Sequence, residues 1–189
     1  MILKFKIKNL KFNSGFTIVE TLVAISILTL SILGAFTAVQ GSLQKSYYAK
    51  DQATAFYLIQ EAVEYIRNIR DNNGMANIAA ITTGGSVNWL KGIATAGDAC
   101  IFGNWCYIDS PLDSKTACSP NTFANCPFIK QDSTTGLFGY TNGTATKFKR
   151  AVQLTPINAN EIVITVQVDW TSGVFSKSIQ VKQSLFNVR

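Results

Sequence analysis

Hydrophobic and polar positions alternate in three different ways along the chain. From Phe16 to Val39 almost every residue is apolar, with Glu20 the only charge and no proline. These 24 residues would span about 36 Å as a helix, enough for a hydrocarbon core of about 30 Å. Nothing stops the helix there. Gly41 is its one weak point, and no proline comes before Pro111. Phe56, Ile59, Val63 and Ile66 then recur at helical spacing, with Ala49, Gln52, Ala53 and Ala62 around them, and set an apolar seam on one face. Glu61, Glu64, Arg67 and Arg70 fall largely off that seam, Glu64 three residues before Arg67, as on a solvated face. Asp71-Asn72-Asn73-Gly74 supplies a stop. The pattern predicts an apolar helical half over 16–41 and a helical spine over 42–71, together about 84 Å long.

Periodicity is weak over 72–146, a stretch rich in Gly, Asn, Thr, Ser and Ala with short aromatic islands. It reads as loops with one or two short strands. From Lys147 the period becomes two. Phe148, Val152 and Leu154 share a register with Arg150, and Ile162, Ile164, Val166, Val168 and Trp170 share the next. After a turn at Thr171-Ser172-Gly173, Ile179, Val181 and Leu185 line a third strand. Three strands joined by short turns over 147–189 predict an antiparallel meander with one buried side. The helix seam is the partner long and apolar enough to cover it, so the expected fold class is α+β, a sheet packed on a helical spine.

Charge changes the picture only at the N-terminus. The net charge of +6 includes Lys4, Lys6, Lys8 and Lys11, with no acid among the first fifteen residues. Without those four the remaining 13 basic and 11 acidic groups leave +2, so no nucleic-acid partner is expected. Lysines ahead of an apolar span favour a cytoplasmic N-terminus and export of the C-terminal bulk. A secretory signal peptide would have a shorter apolar core and a small-residue cleavage site, and Gly34 to Ala38 offers none.

Gly15 directly before Phe16, then Thr17-Ile18-Val19 and Glu20 as the fifth residue from Phe16, after a basic leader, resembles the processing and assembly motif of type IV pilin-like proteins. These are the pilins, minor pilins and secretion pseudopilins. The resemblance implies a leader over 1–15, cleavage between Gly15 and Phe16 by a prepilin peptidase, and methylation of the Phe16 nitrogen. It implies that Glu20 pairs with the terminal amine of an adjacent subunit. A bare anchor gains nothing from a carboxylate there, which costs about 2.5–3.5 kcal/mol at a bilayer centre. Major pilins often carry a kinking proline in the apolar run. Its absence here favours a minor pilin or pseudopilin. Phe148-Lys149-Arg150, the Val166-to-Trp170 run and Leu185-Phe186-Asn187 are also similar to the C-terminal sheet of that family.

Cys100, Cys106, Cys118 and Cys126 fall within 27 residues of a domain expected to be exported. An even, clustered set reads as disulfides. Three connectivities are open. Cys100–Cys106 with Cys118–Cys126 closes the shortest loops. Zinc is disfavoured, since no close pair of cysteines and no histidine is present. No catalytic site is expected. Histidine is missing, as are nucleophile-elbow, phosphate-loop and dinucleotide motifs. Asp98, Asp109, Asp113 and Asp132 lack regular calcium-loop spacing and read as solvated loop acids. Asn142-Gly143-Thr144 reads as a turn rather than a glycosylation acceptor. Trp89, Trp105 and Tyr107 read as filling under loops rather than a binding face.

The sequence therefore predicts a structural subunit, cofactor-free and not an enzyme. It would be stored as a single-pass membrane protein with its C-terminal domain outside the cytoplasm, then assembled into an extracellular or periplasmic filament. Its expected partners are other pilin or pseudopilin subunits, the prepilin peptidase, the inner-membrane assembly platform and the lipid bilayer. The alternative is a ligand-binding or adhesin module, anchored in the membrane or at a filament tip, that uses the 72–146 loops.

Overall fold

The computed structural model describes residues 15–173 and 175–187. The basic leader up to residue 14 lies outside them. The chain divides into two compact units, Met1–Tyr47 and Tyr48–Arg189. A single helix, α1, runs Ile18–Ile81. An antiparallel sheet follows, so the architecture is α+β.

In the first unit the helix buries nothing. Its apolar side chains, from Ile18 through Leu43, are all exposed. The helix is long and apolar enough to cross a membrane.

In the second unit the helix carries a core stripe. Ala55, Leu58, Ile59, Ala62, Val63 and Ile66 are buried. Three of the four expected seam residues, Ile59, Val63 and Ile66, lie in this stripe, whereas Phe56 is 43% exposed and Leu58, 1% exposed, is buried instead. The stripe turns inward on Ala55 and Ala62, whose small side chains let the sheet approach. The weight of the Phe56 ring in the apolar pattern points one residue away from that line. Glu64 and Arg67 do form the expected ion pair on the open face.

Helix α1 also runs past the expected stop at Asp71. Glycine within a helix costs only about 1 kcal/mol, and Met75, Ala76, Ile78, Ala79 and Ala80 continue the turns. The true end is a C-terminal cap at Gly84. The N–H of Gly84 donates to Ile81 O (3.1 Å) and that of Gly85 to Ala80 O (2.9 Å). This bond pair needs a left-handed residue, and Gly84 has φ +77°.

Seven strands follow: β1 (Trp105–Asp109), β2 (Ser114–Ala117), β3 (Phe128–Gln131), β4 (Phe138–Gly139), β5 (Thr144–Asn158), β6 (Glu161–Ser172) and β7 (Phe175–Phe186). Among the described residues they form one sheet. The meander β5–β6–β7 matches the period-two expectation, with Val152 opposite Val166 and Val166 opposite Val181. The middle region holds four short strands where one or two were expected. Both β1 and β3 pair with the far edge of β5.

One face of the sheet packs on the helix through Phe148, Val152, Leu154, Ile164, Val166, Val168 and Trp170. The opposite face was expected to be open, yet Ala151 is fully buried there under Cys118, Cys126, Trp105 and Phe123. The disulfide-bearing loop over 118–126 supplies that cover.

Arg150 keeps the apolar register of β5 and is completely buried. Its guanidinium donates to Leu58 O (3.0 Å) on the helix and to Ile108 O (2.7 Å) on β1. Tyr140 returns a hydrogen bond from its hydroxyl to Arg150 O at 2.6 Å. A buried charge is costly unless it is paired and hydrogen-bonded, and here three elements share it.

Candidate processing and assembly site

The residues singled out at the N-terminus lie together at the start of α1. Gly15, Phe16 and Thr17 precede the helix, and Glu20 falls in its first turn. Thr17 caps the helix: its hydroxyl accepts the Glu20 N–H at 3.2 Å, and its carbonyl accepts the Thr21 N–H at 3.1 Å. The Thr17-x-x-Glu20 spacing is that of a capping box, a signal the sequence carried and the motif-based reading left unused. The cap fixes the helix start at Ile18, two residues after Phe16. It leaves Gly15–Phe16 as non-helical backbone ahead of α1. Among the described residues no atom beyond its chain neighbours lies within 4 Å of a Cβ built on Gly15, and Phe16 is 77% exposed. An acid in the first turn also complements the positive end of the helix dipole.

The apolar run after Glu20 contains hydroxyls, and each one described below is satisfied within the helix. Thr21 donates to Ile18 O, Ser26 to Leu22 O, Thr29 to Ser26 O, Ser31 to Ile27 O and Thr37 to Gly34 O, all at 2.8–2.9 Å. Such back-bonding suits a hydrocarbon surround, where an unpaired polar group is expensive. Glu20 remains the charged group of the run.

The other candidates fall into the second unit and serve its fold. Cys100 is bonded to Cys106 and Cys118 to Cys126. Of the four loop acids only Asp109 and Asp132 line a common cleft, and the described residues hold no cluster of three potential metal ligands. Asp98 accepts from Thr95 N–H and hydroxyl. Asp113, at φ +49°, accepts from the Tyr65 hydroxyl at 2.5 Å. Burial, then this carboxylate, pushes the Tyr65 phenol well above its ordinary value. Asp132 accepts from Thr134 and Thr135 N–H, which hold its carboxyl below the usual range.

Asp109 departs from expectation. It is 3% exposed and not a solvated acid. Its carboxylate accepts from Tyr140 N–H (2.9 Å), Thr141 N–H (3.0 Å) and the Thr141 hydroxyl (2.9 Å). It pins the 139–141 segment against β1. Gly143 sits in a turn at φ +95°. Trp89, Trp105 and Tyr107 are half-buried and pack on the core clusters.

Comparison with known proteins meets this geometry at the same place. Residues 10–36 match the family described as the prokaryotic N-terminal methylation motif. The chain thus carries a type IV pilin-like prepilin motif, the motif of type IV pilins and pseudopilins. No curated protein and no solved structure shows a significant match to the chain. The motif together with the apolar helix fits a membrane-anchored, single-pass protein.

Proposed function

We propose that the chain is a structural minor pilin or pseudopilin. A prepilin peptidase cuts between Gly15 and Phe16 and methylates the Phe16 nitrogen. The subunit waits in the bilayer with its disulfide-bonded domain outside the cytoplasm. It then joins a filament of like subunits through its apolar helix, drawn from the membrane by an inner-membrane assembly platform. The reading is carried by one observation: Glu20 is the sole charge in the apolar run from Phe16 to Val39, inside a methylation motif, and the fifth residue of the expected mature chain.

The cut would free an amine on Phe16, ahead of the helix. In a filament the Glu20 carboxylate of one copy meets the Phe16 amine of the next and sets their axial register. Removing one member of a buried charge pair costs about 3–5 kcal/mol, because the other charge is stranded.

The test is mass spectrometry of the mature protein combined with fractionation of cells that express Glu20→Ala. The expected mature chain begins at N-methyl-Phe16. The expected variant is cleaved and inserted yet depleted from sheared filaments. An intact Met1 start, a cut after Ala38, or full recovery of the variant in filaments would overturn the reading.

A further inference from the structure

A cleft of about 650 Å³ opens where the last turns of α1 pass the loop at 86–89 and the turn between β5 and β6. Its size lies within the roughly 300–1,000 Å³ of small-molecule sites. Its chemistry is unusual for this chain, because no ionisable side chain lines it among the described residues. The walls combine Asn77, Asn88 and Ser86 with Ile78, Ile81 and the half-buried Trp89.

The two amides are held rigidly. Asn77 Oδ1 accepts the Val87 N–H at 2.8 Å, and Asn88 Oδ1 accepts the Leu90 N–H at 2.9 Å. Those backbone donors settle which end of each amide is oxygen. The Nδ2 groups of Asn77 and Asn88 then have no partner among the described residues. One turn earlier, Asn73 Nδ2 donates to Trp89 O (3.1 Å) and Lys91 O (2.8 Å). The loop is therefore hung on the helix by side-chain amides, and the free donors are pre-positioned before any ligand arrives.

Among the described residues, a phosphate or carboxylate would find no cation in this cleft, and a metal would find no carboxylate. A wholly apolar ligand would leave the amide donors dry. A ligand with neutral hydroxyls on one side and C–H surface on another satisfies both kinds of wall. We propose that the cleft between the end of α1 and the 86–89 loop binds a neutral saccharide, with Asn77 and Asn88 donating to its oxygens and Trp89, Ile78 and Ile81 contacting its apolar face. This site is independent of how the N-terminus is processed.

The experiment uses the full chain in a sugar-free zwitterionic detergent, because a maltoside would compete. Isothermal titration is run with lactose, maltose, cellobiose and N,N′-diacetylchitobiose. Sialyllactose serves as an anionic probe and a capped alanine tripeptide as a peptide probe. Saturable binding of at least one neutral disaccharide is expected, with no binding of the other two probes.

The Asn77→Asp/Asn88→Asp double variant keeps both carbonyl-type acceptors for Val87 and Leu90 and removes both donors. It should weaken the interaction at least about tenfold while melting with the parent protein. Ile78→Ala, at a side chain that is 63% exposed and dispensable for the core, should weaken it as well. Absence of saturable binding to all four disaccharides would overturn the proposal. So would undiminished affinity in the double variant, or equal or preferential binding of sialyllactose or the tripeptide.

Discussion

Arg150 and Glu61 meet 3.1 Å apart, the arginine side chain 1% exposed and the glutamate side chain 33% exposed. One partner is thus sealed in the core and the other reaches the surface, so their removal should differ in cost. Arg150→Ala strands the carbonyls of Leu58 and Ile108 and should destabilise the domain by about 3–5 kcal/mol. Glu61→Gln keeps an oxygen acceptor at a partly solvated position and should cost about 1 kcal/mol or less. Denaturant melts of the two variants check the order. A milder effect for Arg150→Ala than for Glu61→Gln would show that the guanidinium is not the clamp.

Gly143 and Gly84 make a second contrast. Both have positive φ, at +95° and +77°. A Cβ on Gly143 would sit 2.3 Å from Gln131 O, whereas one on Gly84 meets nothing within 4 Å. Gly84→Ala should therefore cost only the left-handed strain, about 1–2 kcal/mol. Gly143→Ala must also shift backbone between β3 and β5 and should cost distinctly more. Comparable melting temperatures for the two would contradict the close approach.

Alkaline stability should be set by two phenols. Burial raises Tyr140, and burial with the Asp113 carboxylate raises Tyr65. A group whose value is raised on folding contributes stability in full below its unfolded value, near pH 10, and loses it as pH climbs towards the folded one. The protein should lose stability above about pH 10. Phenolate absorbance should show two of the six tyrosines ionising only as the fold opens. Tyr65→Phe should shift the alkaline midpoint upward. An unchanged midpoint would show that the Tyr65 phenol does not control it.

The disulfides should matter to the domain rather than to the helix. Each closes a short loop, with sequence separations of 6 and 8, worth about 2–3 kcal/mol in the chain-entropy account. Cys118→Ser/Cys126→Ser should also loosen the cover over Ala151. Faster amide exchange is expected in β5 near that residue, with the span over 18–47 unaffected. No cysteine of the unreduced parent protein is expected to take a thiol label, so modification of any cysteine before reduction would refute the pairing.

Gly15→Val tests processing without a folding confound. A Cβ on Gly15 meets nothing within 4 Å among the described residues. Any loss of cleavage then reports the peptidase's own requirement for the smallest residue. The expected product is an uncleaved, membrane-inserted chain, read by its intact mass.

Much of this fold could be read from spacing because its long strands bury one face. The alternation from Phe148 to Leu154, including Arg150 in an apolar register, survives intact. What escaped the pattern were decisions made by tertiary contact. Asn73 and Asn77 look like helix terminators, but their amides bond a distant loop, and the helix runs on through them. Asp109 looks like a loop acid until Tyr140 and Thr141, just past β4, arrive with three donors. Strands of two to five residues, such as β1 and β4, are too short for a period to show; they exist because β5 and β3 offer them an edge. At the N-terminus the candidate site was legible almost whole, since a charge in an apolar run and a glycine ahead of it are linear signals. The amide-lined cleft was not, being assembled from four separate stretches of chain.

The hydroxyls of the apolar run have a further meaning. Each is tied to a carbonyl three or four residues back, so none depends on what surrounds the helix. Moving such a helix from fluid hydrocarbon to a tightly packed protein neighbour breaks no hydrogen bond and leaves no donor to be re-solvated. The two surroundings then differ, for this surface, only in how well aliphatic side chains fit. A segment of that kind is indifferent, in its hydroxyls, to which of the two surrounds it, and Glu20 is the one charge in the run for the surroundings to satisfy.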